Sequence, residues 1–275
     1  MKTVIVPINF TEAAENAARY AYELANYEKE IRFLLFHAYE IQPAIADPPA
    51  IPLNVNELEL GKERTQLLKE FNETLKQSYP NTESEFIVKE GSLVEEIAEL
   101  IKVRGIDLIV IGVNTEDVGG KHDDKKITSL IKASKIPVLI IPKSTKFKKP
   151  ERIALATDHS GTIDEEVITQ IKNQVQLFNS KLLIFDVLKK TEQISSEKLA
   201  AEITLEDSLE EIDFASHFPS GDDLYQEIKN FIIKSNSDML IMIKHHHKFL
   251  QDIFHHSKTK QMSFQTHVPL LILPE

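Results

Sequence analysis

The sequence predicts an α/β chain made of two similar units in tandem, each a doubly wound parallel sheet with helices on both faces. Three observations carry this prediction. Short apolar runs alternate with longer amphipathic ones along all 275 residues. The short runs are continuously apolar rather than alternating, as expected of strands buried on both faces. The landmarks of the first half also recur, in the same order, in the second.

In the first unit the strands are read at Val4–Ile8, Ile31–Phe36, Phe86–Val88, Leu108–Ile111 and Val138–Ile141. Each is short and rich in Val, Ile, Leu or Phe. Thr11 is placed to cap a helix in which Ala14, Ala17, Ala18, Ala21, Leu24 and Ala25 recur at helical spacing. Its small residues allow close approach to the sheet. A second helix spans Leu58–Leu75, and a third, Leu93–Val103, is opened by Gly91-Ser92 as a capped start. Strands alternating with helices imply right-handed crossovers.

The second unit repeats the order, with strands at Ile153–Thr157, Leu182–Val187, a weak one before Pro219, Met239–Ile243 and Leu270–Leu273. Helices are expected at Ile163–Phe178, around Glu197–Glu211, at Leu224–Ser235 and near Lys258–Phe264. The repeat shows in three pairs of segments. Val4-Ile5-Val6-Pro7-Ile8-Asn9-Phe10-Thr11 matches Ile153-Ala154-Leu155-Ala156-Thr157-Asp158-His159-Ser160. Asp107–Gly112 matches Asp238–Ile243, and Pro137–Pro142 matches Pro269–Pro274. The units meet near Phe147, giving an expected division into residues 1–147 and 148–275.

Composition narrows the function classes. Net charge is −11, and the longest basic cluster, around Lys146, Lys148, Lys149 and Arg152, reads as a solvated linker, so nucleic acid is not an expected partner. No apolar stretch approaches the roughly 20 residues that cross a bilayer, and the N-terminus is too strand-like for a signal peptide. There is no cysteine, hence no thiol nucleophile, disulfide or Cys-based zinc site. A cytoplasmic location is the expectation.

The order of these pieces resembles the universal stress protein family. They are a first strand closed by an Asp-x-Ser type turn, an Ala-rich helix, a fourth strand Asp107-Leu108-Ile109-Val110 and a final Pro137-Val138-Leu139. The resemblance covers nearly the whole chain, twice. It implies a Rossmann-like, adenine nucleotide alpha hydrolase-like fold in each unit. It also implies a pseudo-dimer in which the final strands, Val138–Ile141 and Leu270–Leu273, meet across the interface, with a further homodimer as an option. ATP-binding members carry Gly-x2-Gly-x9-Gly-Ser after the fourth strand, where glycines let backbone amides approach phosphates.

Both copies of that motif are eroded. In the first unit Gly112 fits, Thr115 stands at the second glycine, Asp124-Lys125 replace Gly-Ser, and Asn9 replaces the usual Asp. Asp123 and Asp124 would repel a triphosphate. In the second unit the spacing holds from Ile243 to Ser257, but the glycine positions are Ile243, His246 and His256. By resemblance, Pro7, Asn9, Ile111, Gly112 and Thr115 would line a first pocket for ATP or another adenine nucleotide. Ala156, Asp158, Met242, Ile243, His246, His256 and Ser257 would line a second, remnant pocket. A plainer reading makes Thr11 and Ser160 helix caps and Asp158 a partner of a helix dipole.

His245-His246-His247 and His255-His256 flank one loop. A zinc site would combine His245 or His247 with His255 or His256 and a carboxylate such as Asp252 or Asp158. The alternative is a polar loop whose histidines cap carbonyls or titrate near neutrality. Phe249, Leu250, Ile253 and Phe254 have helical spacing and read as packing. No Ser-Gly-Gly phosphate loop, Walker loop, Gly-x-Ser-x-Gly elbow or His-Glu-x-x-His pattern is present. The expected function is a non-enzymatic scaffold or sensor of the stress response, with a slow ATPase or a metal-binding module as alternatives.

Overall fold

The computed structural model describes residues 1–40, 54–114, 123–157, 163–187, 195–244 and 267–274. Strands β1 (Lys2–Pro7), β2 (Ile31–Tyr39), β3 (Glu83–Glu90), β4 (Leu108–Val113) and β5 (Val138–Pro142) make up one half of a sheet. Strands β6 (Arg152–Ala156), β7 (Lys181–Phe185), β8 (Phe214–His217), β9 (Met239–Ile243) and β10 (Leu270–Leu273) make up the other. The ten strands run β3-β2-β1-β4-β5-β10-β9-β6-β7-β8. Each half therefore has the same internal order, and the halves meet through their last strands.

Neighbouring strands are parallel within each half, and the join is antiparallel: Leu270 lies opposite Ile140, Leu271 opposite Leu139, and Ile272 opposite Val138. The pairing of final strands implied by the family resemblance is thus present, in register. Successive residues of each strand feed opposite faces. Val4 and Val6 of β1 join a core on one face, while Ile5 joins a core on the other. Both cores draw residues from both halves.

Helices α1 (Glu12–Leu24), α2 (Asn54–Ser78), α3 (Leu93–Arg104) and α4 (Asp123–Ala133) serve the first half. Helices α5 (Glu165–Phe178), α6 (Ser196–Ser208) and α7 (Leu224–Ser235) serve the second. Thr11 caps α1 as predicted, its Oγ1 accepting from the Ala14 amide at 3.3 Å. Ser92 stands at the N-cap position of α3 but makes no side-chain capping bond, so the capped start expected there is only positional. Helix α5 begins later than its pattern suggested, with Asp164 rather than Ser160 at the N-cap position, and Ser160 lies outside the described residues. Left-handed residues end three helices: Gly105 (φ 62°) after α3, Asn179 (φ 51°) after α5 and Asn236 (φ 50°) after α7.

Helix α4 is absent from the sequence reading. It holds itself to the sheet with Ile127, Leu130 and Ile131, a buried triplet in an otherwise polar segment. The helix expected near Lys258–Phe264 lies outside the described residues, as do Phe249, Leu250, Ile253 and Phe254.

The aspartates that open the matched strands stitch the sheet at its amino-terminal ends. Asp107 accepts the Thr3 amide through its carboxylate at 2.7 Å, while its own amide donates to the Thr3 carbonyl at 2.9 Å. Its counterpart Asp238 accepts the amides of Glu151 (2.9 Å) and Arg152 (3.1 Å). Lys148 completes the set with an ion pair to Asp238 at 2.8 Å, so this lysine of the basic linker has a structural partner.

Burial works to raise the Asp238 pKa, but Lys148 and the two amides outweigh it and hold the group below its ordinary value of 3.8. A carboxylate depressed in the folded state stabilises the fold above its unfolded pKa, and that contribution is lost as pH falls through the folded value. Asp238→Ala, which orphans both amides, is expected to cost about 1–3 kcal/mol in urea unfolding at pH 7. The gap between wild type and Asp238→Ala should shrink as the pH is taken below 3.8.

Candidate functional site

In an open parallel sheet the strand order reverses beside β1, which leads outward to β2 on one side and neighbours β4 on the other. A crevice forms at the carboxyl ends of the strands flanking such a reversal. Here it is a cleft of about 460 Å³ between the ends of β1 and β4, the start of α1, and α4. Of the residues predicted to line a first pocket, Pro7, Asn9, Ile111 and Gly112 do so. Thr115 lies outside the described residues.

The β1–α1 turn that shapes the cleft is tightly specified. The Ile8 amide donates to the Phe36 carbonyl at 2.7 Å, and the Ile8 carbonyl accepts from His37 Nδ1 at 2.6 Å. Phe10 adopts a left-handed conformation (φ 60°), costly for a residue with a side chain. Its ring is held against His37, with centroids 4.7 Å apart, and under the Arg64 guanidinium at 5.7 Å. Asn9 Oδ1 then accepts from both the amide (3.3 Å) and the hydroxyl (2.6 Å) of Thr11. The Thr11 hydroxyl, already donating to Asn9 and accepting from Ala14, is occupied.

Because a carbonyl can only accept, His37 Nδ1 carries the proton of its bond to Ile8, and neutral Nε2 is a bare acceptor. That nitrogen is buried with no hydrogen-bond partner. Burial lowers the His37 pKa most; the bond to Ile8 opposes the shift and the nearby Arg64 charge adds to it. The imidazole is thus kept neutral as a strut beneath the turn.

Three charged residues missing from the predicted set complete the cleft: Glu12, Lys126 and Lys143. Lys143 follows β5 and pairs with Glu12 at 2.6 Å. The hydrogen bond and charge of Lys143 hold the Glu12 carboxyl below its usual range. Lys126, in the first turns of α4, lies 3.8 Å from Glu40. Their sequence signal was weak: one lysine after a strand, another in a polar run, and a glutamate at the start of a helix.

Gly112 has a structural reason to be glycine. A Cβ placed there would lie 2.0 Å from the Ala13 carbonyl oxygen and 2.8 Å from the Ala14 nitrogen. Its side-chain space is filled by the backbone of α1. In the second half, Ala156 and Met242 are paired across β6 and β9 and buried, as is Ile243. Asp158, His246, His256 and Ser257 lie outside the described residues, as do His245, His247, His255 and Asp252 of the metal reading. Among the described residues no group of three or more His, Asp or Glu is placed to hold a metal ion. Nor is any described helix long and apolar enough to cross a membrane.

A family model described as the universal stress protein family matches residues 1–142. A universal stress protein of Helicobacter pylori is 27% identical over 137 residues, covering 50% of this chain and 97% of that protein. The structure of a universal stress protein from Archaeoglobus fulgidus superposes with a TM-score of 0.69 at 14% identity, covering 99% of this chain and 96% of that one. A protein of unknown function from Pseudomonas aeruginosa superposes with a TM-score of 0.55 at 14% identity, covering 100% of this chain and 92% of its own. The two superpositions show that the fold extends across both halves.

Two predictions arise from this geometry. Gly112→Ala is expected to destabilise the chain by about 2–3 kcal/mol through overpacking, read as a lower urea midpoint with or without ligand. A histidine whose folded pKa is lowered resists protonation while the unfolded chain accepts it, so stability falls as pH drops below 6.5. Wild type should lose more of its urea midpoint between pH 7.5 and 5 than His37→Gln does.

Proposed function

The chain belongs to the universal stress protein family, and from that premise we propose that it is a non-enzymatic scaffold and sensor of the stress response whose first half reads a small anionic ligand. Residues 1–147 and 148–275 are its two units, the first carrying the working pocket. The observation that carries this reading is the cleft at the ends of β1 and β4, open at about 460 Å³ and flanked by Lys126 and Lys143. An adenine nucleotide is the ligand class the family motif suggests. Its phosphates would meet lysine side chains here, because the side-chain space of Gly112 is taken by α1. A grip made by half-exposed lysines is weaker and more salt-sensitive than one made by backbone amides.

Glu12 acts as an internal competitor, since an incoming phosphate must displace it from Lys143. The Thr11 hydroxyl at the cleft is engaged with Asn9 and the Ala14 amide, which suits a cap of α1.

Native mass spectrometry and calorimetry with ATP, ADP and AMP test the proposal. Binding should weaken about two- to fivefold in each of Lys126→Ala and Lys143→Ala. It should tighten in Glu12→Gln and fall with added salt. Bare protein in all three nucleotides would remove the sensor role and leave the scaffold. Phosphate release from ATP that disappears in Lys143→Ala would overturn the non-enzymatic reading.

A further inference from the structure

We propose that the cleft over the seam between the halves is a second small-molecule site, built for an uncharged ligand with an apolar body and an amide-type edge. The cleft has a volume of about 240 Å³ and lies between α1 and α5, above the β5–β10 pair. It is at the opposite end of the strands from the first cleft, beside Lys2, Val4, Asp107 and Leu108 rather than Pro7 and Gly112. Its floor is apolar and drawn from both halves: Val4, Leu108 and Leu139 from the first, Met239, Leu271 and Leu273 from the second. The site is therefore complete only when the halves are paired.

The polar groups decide the class of ligand. Charged residues at the rim already have partners: Lys2 pairs with Glu28, and Asp107 accepts the Thr3 amide at 2.7 Å. An ion would have to displace these contacts. The remaining polar wall is one face of α5, where Gln170, Asn173 and Gln174 stand at helical spacing and line the cleft. Gln170 Oε1 is buried with no hydrogen-bond partner. An unpaired buried acceptor is costly, and turning the Gln170 carboxamide toward a ligand N–H in the cleft would satisfy it. A carboxamide presents a donor and an acceptor side by side, so its natural complement is another primary amide or lactam edge. An apolar floor with a few convergent polar groups is the usual make-up of a small-molecule site.

The test uses the full chain and 4-fluorobenzamide as probe, followed by fluorine NMR, with 4-fluorobenzoate as its charged counterpart. The benzamide should broaden and shift in a saturable manner, and the benzoate should not. Gln174→Phe, a half-buried helix position whose new ring would fill the cleft, should abolish binding while thermal unfolding shows a folded chain. Gln170→Leu should weaken binding about five- to tenfold, and it carries the test alone if Gln174→Phe does not fold. No response of the benzamide at millimolar concentration overturns the proposal, as does equal binding of the benzoate. Binding kept in Gln174→Phe but lost in Lys143→Ala would put the probe in the first cleft and also overturn it. Failure of nucleotide binding there leaves this outcome untouched, so the two readings fail separately.

Discussion

The structure depends on a three-pair antiparallel contact between β5 and β10. Each half, taken alone, would end in a strand that is buried along its length on both faces yet has one edge unpaired. A flat apolar edge of that kind invites association with any other exposed strand. Pairing the two edges removes both at once, and it makes the cores on each face continuous across the chain. The contact is only three pairs long, but all six paired residues are buried aliphatics, and burial of such side chains is where its free energy chiefly arises.

Polar groups then lock the seam in place. Lys244, at the end of β9, donates to the Lys132 and Ser134 carbonyls at 2.8 and 2.6 Å, so a cation from one half closes the carboxyl end of α4 in the other. Burial, then the charge of Lys135, pushes its pKa down, a cost these two carbonyls offset. Within the first half Asn16 holds the segment after β5 by donating to the Pro142 and Thr145 carbonyls, and the Thr145 hydroxyl donates across the seam to the His267 carbonyl. Tyr27, packed beside Phe147, meets Phe178 of α5 across the seam. The seam also bears on the first cleft: β5 is held beside β4, and Lys143 follows directly from it toward Glu12 of α1.

Most of the fold was legible because burial on both faces writes itself into the sequence as uninterrupted Val, Ile and Leu runs. Even the weak strand before Pro219 is present as β8. What was not legible shares a physical cause, namely that the deciding contact is remote in sequence. Helix α4 shows only three core residues, and its anchor Lys244 is more than a hundred residues away. Asn9 and Gly112 could be placed at strand ends from the repeat alone. Glu12, Lys126 and Lys143 could not, because nothing in a lone lysine says which glutamate or cleft it will meet. The caps divide in the same way: Thr11 precedes an unbroken alanine pattern, whereas the connection leading into α5 hides its start.

That last difference bears on how the eroded motif should be read. In the first half α1 begins at Glu12, soon after β1 ends at Pro7, and its first turn lies against the end of β4. Only a residue without a side chain fits beneath it, whatever the cleft holds. In the second half β6 ends at Ala156 and α5 spans Glu165–Phe178, and the matching position on β9 carries a buried Ile243. Glycine there would leave a cavity, just as isoleucine at position 112 would collide with a helix. The retained glycine is accounted for by where α1 starts, and Ile243 by its place in the buried core of the second half. Gly112 is no evidence for a nucleotide and Ile243 none against one; the evidence for a ligand in the first half lies in the open cleft and its lysines.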